Sequence, residues 1–101
     1  MTPMTDIRAV QRTVRPIARR HGVERVYLFG SRARGDERGD SDYDFLISKG
    51  NVNTLLRMAS FWSDMEEALR APVDVVTDTS NDAALIASAR KDAILIYEQT
   101  R

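Results

Sequence analysis

The chain is 101 residues long, 43% hydrophobic and 30% charged, the proportions of a folded globular domain rather than a disordered segment, and its length suits a single domain over 1–101, not two. Fifteen Lys and Arg balance fifteen Asp and Glu, so bulk charge offers no case for nucleic acid and direct nucleic-acid binding is not expected, although a small anion needs only local positive charge. The absence of cysteine excludes disulfides and thiolate chemistry, and with no long apolar run and no secretory leader a cytoplasmic protein without membrane contact is expected.

Residues 6–20 predict an amphipathic helix, because Ile7, Val10, Val14, Ile17 and Ala18 recur at helical spacing. Arg8, Arg12, Arg15 and Arg19 share another face, either a solvated surface or a docking face for an acidic partner or a polyphosphate. Pro16 removes an amide donor within the pattern, so a single kinked helix is expected, ended by His21 and Gly22. A strand follows over 23–29. The segment SRARGDERGD reads as a loop with a short helical turn from Ser31. A second strand is expected over 42–47, then a turn over 49–52. The next amphipathic helix spans 53–70, with Leu55, Leu56, Ala59, Trp62, Met65, Glu66 and Leu69 near helical period and Trp62 and Met65 in the core. Beyond Pro72, a third strand covers 73–76. Ser80 or Asn81 can cap a last helix running to Arg90 and carrying Leu85, Ile86 and Ala89. A short edge strand over 93–97 and a frayed tail from Glu98 complete the reading. The fold class is α/β (α+β), a small mixed sheet of three to four strands flanked by helices.

The chemistry gathers around the second strand. Successive strand residues face opposite ways, so Asp42 and Asp44 point to one side with Cα atoms about 6–7 Å apart. Like charges that close are unfavourable unless a proton or a cation lies between them. Mg2+ prefers oxygen ligands and commonly binds through carboxylates together with substrate phosphates. Asp74 lies inside the apolar run APVDVV, where an unpaired carboxylate is costly. If the third strand lies beside the second, Asp74 joins a three-carboxylate cluster able to hold two divalent ions about 3.5–4 Å apart. The competing reading is structural, with backbone amides as the partners of these carboxylates. Gly30 follows a strand, allowing backbone to approach an anion closely, and Ser31 offers a hydroxyl. Arg32 and Arg34 are both near enough in sequence to contribute, and either can face the ligand. Neither the Walker A pattern nor the dinucleotide-binding glycine pattern is present.

Residues 28–47, LFGSRARGDERGDSDYDFLI, resemble the signature of the DNA polymerase β-like nucleotidyltransferase superfamily: glycine-serine, ten residues, then aspartate-x-aspartate. The compact length and the GSRARG wording resemble its minimal nucleotidyltransferase (MNT) group, and the likeness runs from the first helix to Tyr97. The resemblance implies the polymerase β-like nucleotidyltransferase fold. It implies that Asp42 and Asp44 bind two Mg2+ ions, and that Asp74 binds one of them and helps activate the nucleophile. It further implies that Gly30 and Ser31 hold the β and γ phosphates of ATP.

A domain this small has little room for an acceptor pocket, so the acceptor is expected to be a macromolecule or to lie at a homo- or hetero-oligomer interface. MNT proteins resemble antitoxins paired with helical HEPN toxins. The resemblance therefore implies an antitoxin that transfers AMP from ATP to a tyrosine of the HEPN toxin and releases pyrophosphate. Two alternatives stand beside it: a transferase acting on a small molecule or RNA with a separate helical subunit, and a non-catalytic antitoxin that masks its toxin by binding.

Overall fold

The computed structural model of the chain describes residues 5–38 and 41–100. Eight elements follow in the order α1 (Ile7–His21), β1 (Arg25–Phe29), α2 (Ser31–Arg34), β2 (Tyr43–Ser48), α3 (Leu55–Leu69), β3 (Val73–Thr77), α4 (Ala83–Asp92) and β4 (Ile94–Glu98). The expected class is the one observed. The strands form one mixed sheet in the order β3-β2-β1-β4. β1 is antiparallel to β2 and to β4, whereas β2 and β3 are parallel and joined by the α3 crossover.

α1 begins where the Asp6 carboxylate accepts the amides of Arg8 and Ala9, and it runs through Pro16 as a single helix. It ends at Gly22, whose φ of 71° is open to glycine at little cost. The Gly22 amide returns to the Arg19 carbonyl and the Val23 amide to that of Ala18, a closed C-terminal turn. That turn takes up the chain at Val23, so β1 starts at Arg25 rather than at 23. Val23 itself is buried.

The main core lies between α1 and α3 and one face of the sheet. Val10, Val14 and Ile17 meet Val26, Leu28, Phe45, Ile47, Phe61 and Met65 there. Burying a side chain of this size contributes about 1.5–3 kcal/mol. Leu46 and Ala89 are also buried but lie outside this cluster, and α4 packs against β1.

α3 sits differently from expectation. Its buried residues are Phe61 and Met65, with Met58, Trp62 and Leu69 packed alongside. Leu55 and Leu56 are 88% and 81% exposed, and Ala59 and Glu66 are exposed as well. The stripe is centred on Phe61, whose ring meets His21 edge-on, so Met65, Trp62 and Leu69 of the expected face stay at the core while Leu55, Leu56, Ala59 and Glu66 turn outward. Trp62 sits at the margin of the core, its indole N–H donating to the Val73 carbonyl at 2.6 Å.

α4 is capped by Asp82, which accepts the Leu85 amide, and not by Ser80 or Asn81. Leu85 is 40% exposed and only Ala89 is buried in this helix. The chain end is tied down further than expected: Glu98 completes β4, and the Gln99 amide donates to the Glu24 carbonyl.

Candidate active site

The turn from β1 into α2 depends on Gly30. Its φ of 75° and ψ of −156° place it in a region essentially reserved for glycine. A Cβ at Gly30 would also collide with the Asp44 carboxylate, its Cγ standing 3.2 Å away. The Gly30 carbonyl accepts the amides of Ala33 and Arg34 and so starts the one-turn helix α2. Phe29 pairs with Asp44 across the sheet, which brings Gly30, Ser31 and Asp44 to the same sheet end. The Ser31 hydroxyl has no hydrogen-bond partner among the described residues.

On the other side of β2, Asp44 is the register partner of Asp74 on β3. Register partners on adjacent strands stand about 5 Å apart and point to the same face. Asp42 precedes β2 by one residue and is exposed, Asp74 is exposed, and Asp44 is half-buried. Burial pushes the Asp44 carboxyl above the usual carboxylate range, the neighbouring charges of Asp74 and Asp42 add to the rise, and Arg34 opposes it. The three side chains share one sheet end without closing on a common point. Among the described residues no three acidic or histidine side chains are gathered tightly enough to enclose an ion. Like charges at one sheet end repel unless a proton or a cation lies between them. The donor chemistry still fits a divalent cation. All three donors are carboxylates, two are exposed, and the charge that raises Asp44 would be offset by a cation.

The two arginines part company. Residues two apart on a helix project to nearly opposite sides. Arg32 turns toward β2's opposite face, where its guanidinium donates to the Ser41 carbonyl through Nε and Nη2 and to the Thr5 hydroxyl through Nη1. It also lies 4.0 Å above the Tyr43 ring. Tyr43 faces away from Asp42 and Asp44 by strand parity, so Arg32 braces the loop and does not join the carboxylates. Arg34 points to the carboxylate side. Its Nε donates to Asp36 at 3.2 Å and its Nη1 to Asp92 at 2.8 Å.

Two residues not anticipated from the sequence shape this region. Glu37 is 2% exposed, and its carboxylate accepts the Thr5 amide, which with Arg32 nearby holds it below the usual range against the effect of burial. Asp92 is the last residue of α4. Nothing local in the sequence marks either one, since each partner lies far off along the chain.

The sequence model of the family described as "Polymerase beta, Nucleotidyltransferase" matches residues 12–101. The chain is 37% identical over 75 residues to a protein of Methanocaldococcus jannaschii named as a candidate protein adenylyltransferase, covering 74% of this chain and 81% of that one. It is 27% identical over 77 residues to the protein adenylyltransferase MntA of Thermococcus cleftensis, covering 76% and 78%. A solved structure described as a candidate minimal nucleotidyltransferase superposes with a TM-score of 0.75 at 35% identity, covering 89% of this chain and 95% of that one. The fold is also that of a chain in a complex of the tri-AMPylated Shewanella oneidensis HEPN toxin with its MNT antitoxin (TM-score 0.71, 16% identity, 93% and 74% covered).

Proposed function

Because the chain belongs to the polymerase β nucleotidyltransferase family and is a nucleotidyltransferase, we propose that it adenylylates a protein, moving AMP from ATP to a tyrosine of a helical HEPN toxin and acting as the antitoxin. The observation that carries this reading is the pairing of Asp44 with Asp74 in register, beside a glycine whose backbone conformation other residues adopt only under strain. The names of the two relatives and the AMPylated toxin in the Shewanella complex support the choice of a protein acceptor.

Asp42, Asp44 and Asp74 would hold two Mg2+ ions, which when bound neutralise phosphate charge and lower the pKa of a nearby hydroxyl. The remaining work falls to the chain. Ser31 donates its hydroxyl to the β and γ phosphates, and Gly30 lets the backbone come close to them. Arg34 supplies the side-chain cation on this side of the sheet, whereas Arg32 is committed elsewhere. The tyrosine oxygen bonds to the α-phosphorus as the bond to the bridging oxygen of pyrophosphate breaks. Asp74 is exposed and takes the hydroxyl proton. A tyrosine with its usual pKa near 10 is a poor nucleophile at neutral pH, so orientation by the docked partner supplies much of the rate.

Mass spectrometry of the HEPN partner after incubation with ATP and Mg2+ tests the proposal. The expected result is the mass of one or more AMP groups on tyrosine, absent with Asp44→Asn, together with loss of toxin activity only in the first case. If Asp44→Asn neutralises the partner at equal stoichiometry with no added mass, masking by contact is the mechanism.

A further inference from the structure

Asp92 sits where a carboxylate does not favour its own helix. It closes α4 after Arg90 and Lys91, at the end where the helix dipole disfavours negative charge. Its compensation is Arg34, reached at 2.8 Å across 58 residues of sequence. Arg34 also stands close enough to Asp44 to pull its carboxyl downward, yet its ion pairs are with Asp36 and Asp92 and not with Asp44. Two of its three nitrogens are engaged by these carboxylates, and Nη2 has no partner among the described residues.

We infer that Asp92 is a positioning residue: by holding Arg34 through Nη1 it keeps the guanidinium off Asp44 and leaves Nη2 free for the phosphates of the nucleotide. The inference rests on the nucleotidyl-transfer reading above. Without Asp92, Asp36 still holds Arg34 through Nε at 3.2 Å, but the Nη end is no longer tied and is drawn toward the negative charge of Asp44 and its neighbours. An arginine closed onto Asp44 would occupy both the cation meant for the phosphates and a carboxylate meant for metal. Asp92 does bring a negative charge near an incoming anion. That repulsion is screened where the partners are exposed to solvent, and Arg34 and Asp92 side chains are 48% and 26% exposed. A misdirected guanidinium loses more, because its value in phosphate binding lies in the fixed direction of its donors.

A double-mutant cycle on ATP binding tests this, read by calorimetry with Mg2+ on the full chain. Asp92→Ala and Arg34→Gln should each weaken ATP binding about tenfold, as expected for one lost charge-assisted contact. The double variant should bind no worse than Arg34→Gln alone, since the two act through one contact. Asp92→Glu should restore binding to within about threefold of the parent, and the KM for ATP should follow these changes while kcat does not. Removing a carboxylate from a helix C-terminus should leave the melting temperature level or higher, which a merely structural role would not. Asp92→Asn provides the same test should the alanine variant be poorly folded. The inference is overturned if Asp92→Ala binds ATP as well as or better than the parent, or if the two losses multiply in the double variant. A parent that binds ATP with this coupling but modifies no protein removes the acceptor reading and leaves the inference standing. A parent that binds no ATP removes both.

Discussion

Replacing Asp44 with Asn should stabilise the metal-free protein. Asp44 is half-buried, Asp74 stands beside it in register, and Asp42 lies two residues away. Two carboxylates about 5 Å apart repel by about 1 kcal/mol in a water-like dielectric and about 3 kcal/mol at an effective value of 20. Asp74 is exposed, so solvent screening favours the low end, and a net gain of about 0.5–1 kcal/mol is expected. For a domain of this size that corresponds to a rise of about 2–8 °C in melting temperature. The pH dependence has a definite sign. A carboxyl whose pKa is raised on folding, as burial and the two neighbouring aspartates raise Asp44, adds stability below its unfolded pKa. That stability is lost as pH rises through the folded value. The ionised group therefore weakens the native state at pH 7, and the advantage of Asn should shrink as pH falls through the raised folded value toward the ordinary aspartate range of about 4, below which the aspartate is protonated in both states. Thermal melts of parent and variant in chelator, from pH 4 to pH 8, measure this. A variant that melts below the parent at pH 7 would show that Asp44 is held by favourable partners, and the electrostatic reasoning about the site would fail.

Gly30→Ala should cost about 1–3 kcal/mol from backbone strain, with a further loss from contact with the Asp44 carboxylate, measured by denaturant unfolding; a neutral result would refute the strained turn at Gly30 and its close approach to Asp44. Ser31→Ala should raise the KM for ATP about tenfold in steady-state transfer assays and leave the melting temperature unchanged, because the hydroxyl holds nothing within the described fold. Arg32→Gln should do the reverse, lowering stability by about 1–2 kcal/mol through its contacts with Ser41, Thr5 and Tyr43 while the KM for ATP stays near that of the parent.

The sequence by itself determined what depends on near neighbours. The order of helices and strands follows from periodicity and caps. The glycine-serine turn, the ten-residue spacing to Asp42 and Asp44, and the shared direction of those two carboxylates follow from strand parity, which is local. Tertiary structure decided the rest. Asp74 becomes a partner of Asp44 only because β3 lies parallel to β2 in that register, a pairing no short window contains. Leu55, Leu56 and Phe61 are equally apolar, so pattern alone does not choose among them; contact with α1 and the sheet selects Phe61 and leaves the two leucines in water. Arg32 and Arg34 are chemically identical on one short helix. Their separation into a loop brace and a cation beside the carboxylates was set by Ser41 and Tyr43 on one side of β2 and by Asp92 on the other. Sequence pattern records which side chains can share a face, whereas the choice among chemically equal candidates belongs to contacts made far along the chain.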